Sequence, residues 1–283
     1  MKRLALMLVA LATTFSFAFA EPEARYTTVS RHYNFRDFDR LSVAHTFEVE
    51  LSFADTYSVD VQVPDFVEPY LHVKNVSGKL ILSLEKMPRD VQRKLNDTSH
   101  ELKAQVTMPR LLSLEMSGAS RVTANGLLQL NTENLDIDLS GASKLLALEA
   151  KGIDRLSIDV SGASKCRLQA DAEEMIVDLS GASKVNWEGT ALRMSVDCSG
   201  ASDGHFDGNV GKMNVDASGS SKVILDGEAE NASVELSGVS KCQLGVSGKL
   251  NYELSGASTL RVKDLGASMR GETSRGSKVD ILR

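Results

Sequence analysis

A short motif recurs through the C-terminal two-thirds of this chain and constrains its fold more than any other feature. Ser-Gly-Ala-Ser or a close variant begins at Ser117, Ser140, Ser161, Ser180, Ser199, Ser218, Ser237 and Ser255. A degenerate ninth copy is Ser274-Arg275-Gly276-Ser277. Its glycines are 18 to 23 residues apart, most often 19, and are Gly118, Gly141, Gly162, Gly181, Gly200, Gly219, Gly238 and Gly256. Self-similarity at such a period indicates a repeat architecture, with these glycines as its structural turns.

The residues on both sides of each motif alternate between apolar and polar. Before the copy at Ser180, the apolar positions are Met175, Val177 and Leu179, and after it they are Val185 and Trp187. Alternation with a period of two predicts strands that bury one face. A second glycine follows in several copies and predicts a second corner; these glycines are Gly126, Gly189, Gly208 and Gly227.

A unit of about 19 residues with two corners cannot bury its apolar face alone, but stacked units can. The predicted fold is therefore all-β: a single-stranded parallel β-helix or solenoid of about eight to nine coils, with an N-terminal β-rich cap. In-register stacking at ~4.8 Å per coil gives a rod of roughly 40 Å. The alternative is an antiparallel array of hairpins joined at the Ser-Gly turns, which also favour glycine.

Three segments are predicted along the chain. Residues 1–20 resemble a signal peptide, because Lys2 and Arg3 precede an apolar run that ends in Ala18-Phe19-Ala20. Residues 21–110 lack the motif and form a β-rich capping region, and residues 111–283 form the solenoid. No stretch after the signal peptide is apolar enough to span a bilayer.

Within the capping region, strands and one loop are predicted. The loop is the charged segment Met87–His100, and a short helical turn is expected at Asp65–Tyr70. The predicted strands are Leu41–Leu51, Tyr57–Val63, Leu71–Lys74, Leu80–Leu84 and Glu101–Met108, with a hairpin turn at Gly78-Lys79.

Two outward-facing columns of charge accompany the repeat. The residue two positions before the first serine of each motif is always acidic, as Asp178 is before Ser180. The residue four positions after that serine is usually basic, as Lys184 is. The favoured interpretation is a structural network that penalises a slipped register. The alternative is a calcium-binding edge built from the carboxylates.

One atypical coil contains the strongest candidate for a metal-binding or catalytic site. Asp203, His205 and Asp207 alternate on one strand, so all three face outward, and Glu188 and Asp226 should flank Asp207 in the neighbouring coils. These side chains could bind a metal ion or act as an acid–base pair. The favoured interpretation is simpler: Asp203 replaces a lysine of the basic column and pairs with its neighbours. No cofactor site or catalytic residue is predicted.

The three cysteines are predicted to be free, buried thiols. Cys166 and Cys242 occupy the same inward column four coils apart, and Cys198 lies two coils from either. A disulfide needs Cα atoms within about 7 Å, and coil spacing keeps every pair farther apart.

The Ser-Gly-Ala-Ser repeats, the Leu-x-Ile-Asp-Leu strands before them and the leading segment Phe38 to Val43 resemble one bacterial family. It is the family described as auto-transporter adhesin, head GIN domain. The resemblance covers roughly residues 35–283. It implies a β-helix-like solenoid with a role in cell-surface adhesion and with no established catalytic residues.

The predicted function is that of a non-enzymatic, exported structural or interaction module of a Gram-negative cell envelope, in the periplasm, on the cell surface or secreted. Its partner would be an envelope glycan or a protein, and homo-oligomerisation stays open. Without Lys2 and Arg3 the chain has 30 basic and 38 acidic side chains, a net charge of −8, which argues against nucleic acid. The alternative is a solenoid enzyme, a lyase or hydrolase acting on polysaccharide.

Overall fold

The computed structural model of the chain describes residues 26–97 and 101–282, and it is nearly all strand, with 4% helix. The predicted signal peptide and His100 lie outside these residues. One α-helix, α1, spans Arg89–Asp97, and a 3-10 turn spans Glu68–Tyr70. The strands are β1 Thr28–Tyr33, β2 Arg40–Val43, β3 Phe47–Phe53, β4 Ser58–Pro64, β5 Leu71–Val76, β6 Lys79–Leu84, β7 Leu102–Met108, β8 Ser113–Met116, β9 Arg121–Asn125, β10 Leu127–Leu139, β11 Lys144–Val160, β12 Lys165–Leu179, β13 Lys184–Cys198, β14 Asp203–Ala217, β15 Lys222–Leu236, β16 Lys241–Leu254, β17 Thr259–Asp264, β18 Ser268–Thr273 and β19 Lys278–Leu282.

The repeats form a parallel β-solenoid of about nine turns with about 19 residues per turn, which confirms the predicted fold. Each repeat strand pairs in parallel with the next, so that Lys165 lies opposite Lys184 and Met175 lies opposite Met194. The same column pairing continues from β13 to β16. Antiparallel hairpins would reverse this register, so the alternative fold is excluded.

Each coil has two sides that meet at the Ser-Gly-Ala-Ser corner, and we name them by their position relative to it. Face A is formed by the segment before the corner, such as residues 193–198, and face B by the segment after it, such as residues 203–207. Along both, buried residues alternate with exposed ones. The buried rows join into one continuous apolar core that runs from Phe38 to Val262.

The corners stack directly on one another. At Gly181 the backbone has φ +72°, and the next residue, Ala182, donates its N–H to the carbonyl of Gly162 in the preceding corner at 2.7 Å. The last serine is buried in the first eight copies of the motif; Ser143, for example, donates its hydroxyl to the carbonyl of Ser140 at 2.7 Å. In such coils the hydroxyl satisfies buried backbone at the turn, whereas the buried hydroxyls of Ser183 and Ser258 have no hydrogen-bond partner among the described residues.

The sheet continues into the N-terminal region without a break. Strands β2 and β3 pair in parallel with β8 and β9. The prediction of one strand over Leu41–Leu51 was wrong, because the chain turns there. His45 has φ +65° and accepts the N–H of Ala119 at 2.6 Å, so it holds the position that glycine takes in later corners. Beyond this coil, β6 and β7 add parallel strands, and β5, β4 and β1 add antiparallel ones.

The prediction of a loop over Met87–His100 was also wrong, because Arg89–Asp97 is helical. Leu95 lies on the helix and Met87 lies just before it, and both pack against the core. This packing stabilises the helix despite the surrounding charge. No helix among residues 26–97 and 101–282 is both long and apolar enough to cross a bilayer.

The three cysteines lie in the core as free thiols. Cys166 pairs across the ladder with Val185, and Cys242 with Val223, in the shared inward column that the sequence predicted. Burial raises the pKa of each thiol to about 12. The protonated form therefore dominates, and these side chains act as small apolar residues and not as nucleophiles.

Candidate functional site

The outward side chains of face B form three parallel columns. The first follows the corner and is mostly basic: Arg121, Lys144, Lys165, Lys184, Asp203, Lys222, Lys241, Thr259 and Lys278. The middle column contains Arg167, Asn186, His205, Ile224 and Gln243, and the third contains Glu149, Gln169, Glu188, Asp207 and Asp226. In-register pairing brings neighbours within a column to ~4.8 Å strand spacing.

A shallow depression, which we call the His205 trough, crosses the middle of face B. Its volume is 300 Å³. The ladder is irregular beside it, because a register shift between Leu145 and Leu148 leaves Ala147 bulged with φ +58°. The trough is lined by Ala147, Leu148, Glu149, Arg167, Leu168, Gln169, Asn186, Trp187, Glu188, His205 and Asp207.

Two buried aromatic rings support the floor of the trough. Trp187 is 2% exposed and donates its Nε1–H to the carbonyl of Ala170 at 2.9 Å. Its ring centroid lies 6.3 Å from that of Phe206 in the next coil. A Cβ at Gly204 would lie 2.8 Å from the Phe206 ring, so glycine makes room for that ring in the core. The floor is therefore packed tightly and held by a hydrogen bond.

The structure puts the three weak metal candidates on one strand but gives two of them other partners. His205 Nε2 lies 3.1 Å from Asp226 Oδ2, and Asp203 Oδ2 lies 3.3 Å from Lys184 Nζ. Asp207 lies between Glu188 and Asp226 in the ladder, as the sequence predicted. Across residues 26–97 and 101–282, no group of three or more His, Cys, Asp or Glu side chains is arranged to hold a metal ion.

The lining of the trough is suited to binding hydroxyl groups. Carboxylates accept hydrogen bonds, the guanidinium of Arg167 donates them, and the amides of Gln169 and Asn186 do both. These groups occur in neighbouring coils at regular spacing. The arrangement can contact successive units of an extended polar ligand.

A second feature of face B follows the corners, and we call it the basic strip: Arg121, Lys144, Lys165 and Lys184. A hollow of 480 Å³ lies beside it. Its lining is Glu48, Ala119, Ser120, Arg121, Ala142, Lys144, Ala163, Lys165 and Ala182. The sequence revealed the basic column but treated it as structural. The hollow was not predicted, because its depth depends on how the corners stack.

The remaining described histidines lie away from the trough. His32 Nδ1 lies 2.8 Å from Asp60 Oδ1, and this hydrogen bond is the main cause of a raised pKa for His32. His72 Nδ1 lies 3.1 Å from Glu85 Oε1. His45 forms part of a corner, where burial lowers its pKa. None of the three lines the trough.

The acidic column runs along face A, on the other side of the corner. Burial is the largest cause of raised pKa values for Asp138 and Asp178, and the neighbouring acids of the column add to it. Repulsion within the column is therefore only partly relieved. In the part of the chain that the structure describes, no group of these acids is arranged to hold a calcium ion.

These features define a class: a parallel β-solenoid whose face B is polar, exposed and largely flat. The chain belongs to the family described as "Putative auto-transporter adhesin, head GIN domain", which matches residues 37–203 and 183–265. This confirms the resemblance found in the sequence. No curated protein matches the chain.

Crystal structures with the same fold come from two species of Parabacteroides. A "putative adhesin" from Parabacteroides merdae has a TM-score of 0.65 at 12% identity, covering 90% of this chain and 96% of its own. A "putative adhesin" from Parabacteroides distasonis has a TM-score of 0.63 at 17% identity, covering 91% and 98%. A "putative lipid binding protein" from the same species has a TM-score of 0.58 at 12% identity, covering 90% and 97%. At these identities the likeness shows the fold alone.

Proposed function

We propose that this protein is a non-enzymatic interaction module of the bacterial cell envelope, exported by its N-terminal segment, and that it binds an extended glycan across face B. The observation that carries the proposal is the His205 trough, whose hydrogen-bonding side chains occupy matching positions in successive coils. A linear glycan has a regular spacing of its own, so one chain can contact several coils. The adhesin description of the family supports the same role.

The electrostatics of the trough favour binding over catalysis. Glycoside hydrolysis needs two carboxylates with distinct protonation states, one of them held as an acid. In the trough, His205 is engaged with Asp226, and the third column presents its acids at an exposed surface. This geometry provides many similar contacts of modest strength, which suits adhesion through many weak bonds.

Binding can be measured directly through the single tryptophan of the chain. Trp187 lies under the trough, so an occupied trough should change its fluorescence. We expect hits on a glycan array and a saturable fluorescence change on titration with those hits. Asn186→Leu, which removes an exposed amide from the trough, should weaken binding by about three- to tenfold, the effect of one or two hydrogen bonds.

The matched control is Asn214→Leu, which changes an exposed asparagine on face A to the same residue. It should bind like the wild type. A face A variant that loses binding while Asn186→Leu keeps it would contradict the proposal.

The enzyme alternative has one observation in its favour, because Glu188 and Asp207 are direct neighbours on adjacent strands. Retaining glycosidases place their two carboxyl groups ~5–5.5 Å apart. A lyase and hydrolase screen with the array hits as substrates distinguishes the two functions. Turnover that is lost in Glu188→Gln and in Asp207→Asn would replace the binding function with a catalytic one.

A further inference from the structure

We infer that the glycan bound on face B is a linear polyanion, a chain of acidic sugars whose carboxylates lie along the basic strip. The inference rests on the proposed function and adds the chemical class of the ligand. It concerns Arg121, Lys144, Lys165 and Lys184, which the sequence alone assigned to a structural column.

The strip is a continuous row of cations. Lys144 lies opposite Arg121 on one side and Lys165 on the other, and Lys165 lies opposite Lys184. Strand spacing separates neighbours by ~4.8 Å. This repeat is close to the length of one residue in an extended polyuronate. Alternate carboxylates of such a chain point to the same side, so they can meet cations two coils apart.

The middle of the strip lacks compensating acids, whereas its ends have them. Arg121 NH1 lies 3.7 Å from Glu48 Oε1, and Lys184 Nζ lies 3.3 Å from Asp203 Oδ2. Within residues 26–97 and 101–282, Lys144 and Lys165 form no ion pair, including with the acidic column across the corner. Like charges on adjacent strands repel one another. Anions of a ligand would relieve this repulsion.

The hollow beside the strip gives the sugar rings a place to lie. It is floored by the exposed methyl groups of Ala119, Ala142, Ala163 and Ala182, which are small enough to leave 480 Å³ open. A pyranose ring has an apolar face and polar edges. The alanine methyls can contact the apolar face while the lysines contact the carboxylate edge.

The strip also meets the trough on the same strands. Lys165 and Arg167 are two residues apart and face outward together, as are Lys184 and Asn186. A chain seated on the strip can therefore place its hydroxyls against the middle column. One ligand would use both features of face B.

Asp203 ends the strip, and this gives a gain-of-function test. Asp203 occupies the column position that Lys184 and Lys222 fill in the adjacent coils. Asp203→Lys removes the acid that pairs with Lys184 and joins the two basic runs. Lysine fits this position in other coils, so the fold should tolerate the change.

The experiment uses polygalacturonate, neutral dextran and inorganic polyphosphate as probes for the full chain. We expect polygalacturonate to bind and dextran not to bind. Lys144→Glu/Lys165→Glu should weaken binding about tenfold or more, and Asp203→Lys should strengthen it roughly threefold, as expected for a few exposed charge pairs. Binding should weaken as salt rises.

The control is Lys212→Glu/Lys249→Glu, which reverses two exposed lysines on face A and should leave the affinity unchanged. Melting temperatures verify that each variant folds, and the gain in Asp203→Lys cannot come from misfolding. Equal binding of polyphosphate would overturn the assignment to acidic sugars. Glycan-array hits that are all neutral, with no effect of either strip variant, would overturn this inference and leave the proposed function standing. An empty array would refute the proposed function itself.

Discussion

At the scale of single residues, the corner glycines decide whether coils can stack. Gly181 adopts φ +72°, and a Cβ added there would lie 2.7 Å from the carbonyl oxygen of Gly162. That same oxygen accepts the N–H of Ala182. A side chain would therefore oppose the backbone conformation and the hydrogen bond between corners at once.

Gly181→Val is expected to destabilise the protein. The left-handed conformation alone costs a β-branched residue ~1–3 kcal/mol, and the melting temperature falls by roughly 2–4 °C per kcal/mol in a chain of this size. Thermal unfolding followed by circular dichroism measures the change. Ala182→Val is the control, because Val239 occupies the same corner position and is 55% exposed. A wild-type melting temperature for Gly181→Val would show that the corners do not need glycine.

At the scale of elements, each face is a set of columns, and the carboxylates in the acidic column of face A repel one another. The pKa values of Asp138 and Asp178 are raised, first by burial and then by their acidic neighbours. A carboxyl with a raised pKa in the folded protein binds protons more readily there than in the unfolded chain. Its ionisation therefore opposes folding, and the penalty disappears as the pH falls through the raised pKa.

Asp178→Asn is expected to stabilise the protein at neutral pH. The gain should shrink as the pH falls towards the ordinary carboxyl range near ~4, because the wild-type carboxyl then becomes neutral as well. The effect should be modest, on the order of 0.5 kcal/mol, because Asp178 is exposed and solvent screens its charge. Melting curves at several pH values test this, with Asp178→Glu as the charged control. A loss of stability in Asp178→Asn at neutral pH would mean that the column is compensated by its surroundings.

At the scale of the whole molecule, the coils are nearly interchangeable because each contacts its neighbours through the same register. Strands β13, β14 and β15 are each offset by 19 residues, as the pairs Lys184–Asp203 and Asp203–Lys222 show. The energy of such a stack is approximately a sum of coil and interface terms.

Deleting residues 203–221 should leave a shorter but folded solenoid, because Lys222 then follows Ser202 and keeps its column. Far-UV circular dichroism should retain its strand signal, with a melting temperature a few degrees lower. The control is a deletion of residues 203–220, which leaves an extra serine at the corner and puts the next strand out of step. A one-residue slip turns the apolar column outward, so this variant should unfold or aggregate. Equal stability of the two deletions would contradict the register.

The sequence determined the repeating part of the fold. Alternation fixed which side chains face inward, and the constant period fixed which residues pair, so the columns around Asp207 were predicted correctly. The free, buried placement of Cys166 and Cys198 followed from the same register. These features are local or periodic, and a single chain displays them directly.

Only the tertiary structure decided the rest. The first coil was not predicted because His45 takes the position of glycine. Helix α1 was not predicted because its stability depends on packing Leu95, and Met87 just before the helix, against a core that the segment itself does not contain. The His205 trough depends on a bulge at Ala147 and on how Trp187 and Phe206 fill the interior. The depressions on the surface arise from the packing of residues that are distant in sequence. The strand pattern arises from the chemistry of residues that are close in sequence, so only the strand pattern can be recognised in the sequence itself.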